Sequence, residues 1–326
     1  MNKKIVLIGA GNWGKNHLKN LENLGFLHSV LEPAPEIAEL RKKEFPYVRY
    51  TAAETDILND PGVKGVVIAA PAAQHFDLTR RYLSAGKDVL VEKPLALTVK
   101  EGKELQAIAR KEERILMVGH ILQYHPAVIK LKELVDAGEL GEIRYIYSNR
   151  LNIGKLRTEE NVLWSFAPHD ISLLLMLLDG AEALLVKAHG GAYVNRGIYD
   201  TTLTSLEFAN GVKSHIFVSW LHPFKEQKLV VVGSKKMAVF DDVSEDKLKF
   251  YPHKIEFDGQ NIPVAHKAES YIVDFEKKEP LKEELLHFAA CMETRGTPKT
   301  DGKEGLRVLE ILERAQASLR GANRAG

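Results

Sequence analysis

The sequence predicts an α/β protein: a doubly wound parallel sheet in the N-terminal part, then an α+β domain with an open, mostly antiparallel sheet. Three observations predict this. Short β-branched runs alternate with amphipathic stretches as far as Gly119, a glycine-rich turn joins the first run to the first such stretch, and strand-like segments follow one another after residue 193. A chain of 326 residues exceeds one ordinary core and fits two domains. We place them at 1–119 and 120–326, with the C-terminal helices free to pack back on the first.

In chain order, Ile5 to Ile8 reads as a strand, His17 to Leu24 as a helix, Leu27 to Leu31 as a strand and Glu36 to Glu44 as a helix. Val66 to Ala69, Asp77 to Leu83, Asp88 to Val91, Val99 to Arg110 and Ile115 to Val118 continue the alternation. Beyond Gly119 the order changes. A helix over Ala127 to Asp136 ends at Gly138, Ile143 to Leu151 reads as a longer strand, and the apolar run Leu173 to Leu178 reads as a buried helix. Strands are expected at Leu203 to Phe208, Val212 to Trp220, Lys228 to Val232 and Met237 to Asp241. The breaks between them, Asn210-Gly211, Pro223 and Gly233-Ser234, read as hairpin turns. Pro280 to Thr294 and Gly305 to Leu319 are helical, and the Ala/Gly/Arg tail from Leu319 is expected to fray.

Lys and Arg number 45 against 44 Asp and Glu, a formal net charge of +1, which gives no electrostatic case for nucleic acid or an anionic membrane as partner. The apolar run at residues 173–178 is too short to cross a bilayer. One cysteine, Cys291, excludes an intramolecular disulfide and suits the cytoplasm. The histidines lack carboxylates at ligand spacing, so no metal site is expected.

Gly9-Ala10-Gly11-Asn12-Trp13-Gly14 directly follows a strand and opens a helix, the context in which Gly-x-Gly-x-x-Gly binds a dinucleotide. Gly9 permits the tight turn, Gly11 lets the backbone approach a pyrophosphate, and Gly14 lets the helix lie close on the strand. Glu32, ending the second strand, stands where a carboxylate bonds the adenine ribose and repels a 2′-phosphate. Pro33-Ala34-Pro35 offers no arginine to receive one, so NAD is expected over NADP. Read alone, Glu32 is also compatible with a solvated turn.

Glu92-Lys93-Pro94 follows the strand Asp88 to Val91, at the carboxyl edge where open α/β sheets bind ligands. Pro94 restricts Lys93 to an extended conformation. A lysine serves as a base only where its pKa is lowered, and a surface ion pair with Glu92 is the plainer reading of Lys93 by itself.

Gly9 to Gly14, Ala70-Pro71, His75, the run Ala85 to Leu95, Gly119-His120, Tyr124, Pro126, Gly138 to Gly141 and Pro168-His169-Asp170 together resemble the glucose-fructose oxidoreductase, inositol dehydrogenase and MocA family. The resemblance spans nearly the whole chain. It implies a Rossmann domain, a C-terminal domain with a large open sheet, a nicotinamide cofactor, oxidation of sugars, cyclitols or nucleotide sugars, and homodimers or homotetramers joined through that sheet. Lys93 matches the family's active-site lysine, and His169 its histidine at the start of a helix facing the nicotinamide. Many members carry an aspartate four residues before that histidine; here Ser165 stands there, which gives Lys93 the larger share of proton transfer.

The resemblance further puts Asn12, Trp13, Ala70, Pro71, His75 and Glu92 at the cofactor, with Glu92 orienting Lys93 or the cofactor. It puts His120, Tyr124, Lys155, Arg157 and Trp164 at the substrate. The stretch Leu151 to Trp164 resembles members acting on UDP-linked N-acetylamino sugars, and Lys155 and Arg157 suit a pyrophosphate. A solvated basic loop and a packed Tyr124 are the bland alternatives. The expected reaction is oxidation of a sugar hydroxyl to a ketone, best the 3-hydroxyl of UDP-N-acetylglucosamine in surface-polysaccharide precursor synthesis. A free sugar or inositol dehydrogenase, or a non-catalytic dinucleotide sensor, are the rivals.

Overall fold

The first sheet has strand order β3-β2-β1-β4-β5-β6, all parallel, in a computed structural model that describes residues 4–154 and 156–322. Its strands are β1 (Ile5–Ile8), β2 (Leu27–Leu31), β3 (Tyr50–Thr51), β4 (Gly65–Ile68), β5 (Asp88–Glu92) and β6 (Leu116–Gly119). Every residue of β1, β4, β5 and β6 is buried. That is why these strands read as continuous apolar runs: helices cover both faces of a parallel sheet, so no face is left for alternation. The covering helices are α1 (Gly14–Asn23), α2 (Pro35–Glu44), α3 (Glu54–Leu58), α4 (His75–Ser84) and α5 (Val99–Lys111). The order reverses between β1 and β4, the position at which such sheets bind dinucleotides.

The second sheet has eight strands in the order β16-β13-β12-β11-β7-β10-β9-β8. They are β7 (Ile143–Leu151), β8 (Ala183–Gly191), β9 (Thr201–Phe208), β10 (Lys213–Ser219), β11 (Glu226–Gly233), β12 (Met237–Asp241), β13 (Leu248–Tyr251) and β16 (Tyr271–Ile272). A separate exposed hairpin pairs β14 (Lys254–Phe257) with β15 (Pro263–His266). Alternation here is clear: in β7 Ile146, Ser148 and Arg150 are buried, while Tyr145 and Tyr147 lie on the half-exposed opposite face. On that outer face Tyr147 stacks on His215 with ring centroids 5.1 Å apart. The inner face carries α7 (Val162–Leu177), and α6 (Pro126–Asp136) packs against β12 and α7.

The last helices are α8 (Pro280–Thr294) and α9 (Gly302–Ala322). The chain forms two compact units, Met1–Ile121 with Glu279–Glu310, and Leu122–Lys278 with Ile311–Gly326. In the first unit Gly102 and Gly305 lie where a Cβ would meet Leu309 at 2.9 Å and Val118 at 2.6 Å, so α9 seats closely against α5 and β6.

Three local expectations are corrected. The break at Pro223 is not a hairpin, because β7 lies between β10 and β11 and pairs parallel with β10. His169 does not start a helix: α7 begins seven residues earlier, capped by Asn161, and runs through Pro168. Proline lacks an N–H and marks helix starts, so the sequence alone reads it as a boundary. The tail does not fray at Leu319, which is buried and whose carbonyl accepts the Tyr199 hydroxyl at 3.0 Å.

Candidate active site

The glycine-rich turn is shaped by its own packing at two of its three glycines. Gly9 has φ +86°, and a Cβ on Gly14 would lie 2.2 Å from the Gly9 carbonyl oxygen. A Cβ on Gly11 would meet nothing within 4 Å. The fold therefore does not require glycine at position 11, whereas a phosphate approaching the turn does. Ala10, between Gly9 and Gly11, is held from both sides. Its N–H donates to Glu32 Oε2 at 2.7 Å, and its carbonyl accepts Arg41 Nε at 2.8 Å.

Glu32 is buried at the end of β2 and also accepts the Ala34 N–H at 3.0 Å. A carboxylate offers about four lone-pair directions, so capacity remains for ribose hydroxyls. Arg41 escaped the sequence reading because it lies nine residues beyond Glu32, on α2. Its guanidinium is matched by Glu44 at 2.7 Å. The open approach at Gly11 and the acceptor capacity of Glu32 fit the adenosine pyrophosphate half of a nicotinamide dinucleotide.

At the carboxyl edge, His75 joins the segments that follow β4 and β5. Its Nδ1 lies 2.7 Å from the Pro94 carbonyl and its Nε2 2.9 Å from the Ala70 carbonyl. Burial pushes its pKa down, against two carbonyls that favour the proton. The Lys93–Pro94 peptide is cis, and Lys93 is half-buried.

Glu92 turns inward. Its Oε1 accepts the Trp13 indole N–H and lies 2.7 Å from His17 Nε2, while its Oε2 accepts the Lys93 backbone N–H at 3.2 Å. Burial would raise this carboxyl's pKa, but the His17 bond and charge, Trp13 and Lys93 hold it below the usual range. Trp13, on the cofactor turn, and Lys93 thus share one anchor. His17 was missed by sequence reasoning, although its place three residues after Gly14, next to Leu18 on the buried side of α1, is a usable signal.

Among the remaining expected residues, Asn12 is exposed and Pro71 lies exposed beside Ala70. His120 is buried, with Nδ1 2.5 Å from Glu304 Oε2. In the second unit Tyr124 is buried, Trp164 Nε1 donates to Gln316 Oε1 at 3.2 Å, and exposed Arg157 pairs with Glu160 at 3.1 Å. Lys155 lies outside the described residues.

His169 is half-buried on α7, and its neighbour Asp170 fixes that turn to the sheet. Asp170 accepts Arg150 Nε at 2.9 Å, Arg150 Nη2 at 3.0 Å and Ser148 Oγ at 2.6 Å. Asp170 therefore points to β7 and is not a stand-in for the aspartate absent at Ser165. Among the described residues no three His, Cys, Asp or Glu side chains are placed to hold a metal, and no helix is long and apolar enough to cross a membrane.

Residues 3–120 match the model of an oxidoreductase family with an NAD-binding Rossmann fold, and residues 128–239 match the GFO/IDH/MocA C-terminal domain. The chain is 29% identical to UDP-N-acetylglucosamine 3-dehydrogenase of Acidithiobacillus ferrooxidans, over 93% of both proteins. It is 26% identical to scyllo-inositol 2-dehydrogenase (NAD(+)) of Bacillus subtilis, covering 97% of this chain and 94% of that one. A solved structure of the Acidithiobacillus enzyme superposes with TM-score 0.86 at 25% identity, covering 98% of each chain.

Proposed function

Because the chain belongs to the Gfo/Idh/MocA oxidoreductase family and carries its NAD-binding Rossmann domain, we propose that it oxidises a ring hydroxyl of a nucleotide-linked amino sugar to a ketone. The best candidate is the 3-hydroxyl of UDP-N-acetylglucosamine. The observation that carries this reading is the placement of Lys93. It stands half-buried at the carboxyl edge of β5, next to a carboxylate that ties its backbone to the cofactor turn.

NAD⁺, held by the turn at Gly9 to Gly14 and by Glu32, would supply the electron sink that accepts hydride from the carbinol carbon. Lys93 takes the hydroxyl proton as the carbonyl forms, so the sugar loses two electrons and one proton reaches the side chain. His169 holds the hydroxyl in line, on a turn kept in place by Asp170 and Arg150. Glu32 selects NAD over NADP by repelling a 2′-phosphate. Arg157 and Lys155 contact the substrate pyrophosphate, Trp164, Tyr124 and His120 complete the substrate side, and a product ketone would be a substrate for an aminotransferase.

Similarity to the UDP-N-acetylglucosamine enzyme over 93% of both chains supports the substrate class. The inositol dehydrogenase at comparable identity makes a free cyclitol the second reading. A homodimer or homotetramer forms through the outer face of the large sheet, where Tyr145, Tyr147 and His215 are half-exposed, and the enzyme works in the cytoplasm. The test is a panel of UDP-sugars, GDP-sugars, free sugars and inositols offered with NAD while NADH is followed. Production with inositols but not with UDP-N-acetylglucosamine would move the assignment to the second reading.

A further inference from the structure

Glu284 on α8 is the least expected charge-bearing group in the first unit. It is 0% exposed, and neither carboxyl oxygen has a hydrogen-bond partner among the described residues. A buried polar group without a partner is costly and calls for an explanation. Its surroundings supply one. α8 packs on α1, the helix that carries His17, joined by Asn20 Nδ2 donating to Glu279 Oε1 at 2.9 Å, and the Glu92 charge acts on the Glu284 carboxyl. His17, whose Nε2 binds Glu92, leaves its buried Nδ1 without a partner among the described residues.

Two carboxyls in one dry region do not both ionise. Glu92 has three donors, from His17, Trp13 and Lys93, and Glu284 has none. The negative charge therefore belongs to Glu92 and the proton to Glu284. Burial, together with the Glu92 charge, acts in the same direction and pushes the Glu284 pKa well above the usual carboxylate range.

We propose that Glu284 is a positioning residue. By remaining protonated it leaves Glu92 as the single buried anion that ties Trp13 of the cofactor turn to the backbone of Lys93. Loss of the Glu284 proton puts a second anion beside Glu92, draws His17 away, and loosens the Trp13 anchor and with it the turn that receives the pyrophosphate. At the start of α8 Glu279 accepts from Asn20, and one turn beyond Glu284 His287 accepts the Lys299 N–H at 3.0 Å.

The experiment measures NAD affinity of the full chain by calorimetry across the neutral and alkaline range, for wild type and Glu284→Gln. Glutamine mimics the protonated acid and cannot ionise. Wild-type affinity is expected to fall about tenfold per pH unit once Glu284 ionises, because only the protonated form is competent; Glu284→Gln lacks this alkaline limb. Stability gives a second readout. An acid whose folded-state pKa is raised contributes stability that is lost as pH rises, so the melting temperature of Glu284→Gln gains on wild type with increasing pH.

Parallel pH profiles of affinity in the two proteins would overturn the proposal, and a purely structural role predicts that result. Should the variant not fold, infrared spectra of wild type decide. A protonated-carboxyl stretch persisting at neutral pH and vanishing with NAD affinity supports the proposal; its absence at neutral pH overturns it. The proposal rests on the reading of Lys93 for its catalytic meaning. Because the readout is cofactor affinity of the resting protein, failure here is separable from failure of the substrate assignment.

Discussion

Asp170→Ala tests how the turn carrying His169 is held. Arg150 and Asp170 have side-chain exposures of 8% and 1%, and they meet in a two-point ion pair completed by the Ser148 hydroxyl. Despite burial, which opposes it, Asp170 and, to a lesser degree, Asp242 keep the guanidinium in its charged form. Removing Asp170 strips the buried cation of its hydrogen-bonded carboxylate and leaves it the weaker influence of Asp242. Breaking a buried pair in this way costs about 3–5 kcal/mol, with Asp242 favouring the lower end. At about 2–4 °C per kcal/mol for a domain of this size, the melting temperature falls by roughly 6–20 °C. Removing both charges in Arg150→Met/Asp170→Leu costs less than the sum of the single changes, because neither charge is then stranded. Calorimetric melting of wild type, Asp170→Ala, Arg150→Met, Asp170→Leu and the double variant measures this. A loss under about 1 kcal/mol for Asp170→Ala, or strict additivity in the cycle, would refute the reasoning.

Gly14→Ala and Gly11→Ala should separate structural from ligand-directed glycine. The first drives a Cβ into the Gly9 carbonyl oxygen at 2.2 Å and destabilises by about 1–3 kcal/mol or more. The second meets no protein atom within 4 Å, so stability stays within about 0.5 kcal/mol while NAD affinity drops. Equal melting temperatures for the two variants would contradict the account. Glu32→Gln removes the charge proposed to exclude a 2′-phosphate; NAD affinity should fall by roughly 10- to 150-fold, from loss of a charged hydrogen bond of about 1.5–3 kcal/mol, while the preference for NAD over NADP narrows. An unchanged ratio of the two affinities would remove Glu32 from cofactor selection.

The parallel domain was legible because burial on both faces leaves continuous apolar runs, and β1 and β2 coincide with the expected Ile5 to Ile8 and Leu27 to Leu31. What escaped was short or at odds with local propensity. β3 has two residues and α3 five, too few to show a period. β8 lay in a stretch for which no element was expected, and α7 crosses a proline that local rules treat as a start.

The site divides the same way. Gly9, Gly14, Glu32 and Lys93 were nameable because motif and strand position coincide. Arg41, His17, Arg150 and Glu284 act through neighbours distant in sequence and carry no motif. Glu284 nevertheless had a signal: it falls with Leu281, Leu285 and Phe288 on one helical stripe, and an acid on an apolar stripe is a buried acid.

The most direct test of the central claim follows NADH formation from NAD and UDP-N-acetylglucosamine in wild type, Lys93→Ala, His169→Ala and the double variant. The account predicts turnover by wild type, a fall of about 10²- to 10⁴-fold for Lys93→Ala with NAD affinity retained, and a double variant little worse than Lys93→Ala alone. Turnover of folded Lys93→Ala within a few-fold of wild type would contradict it.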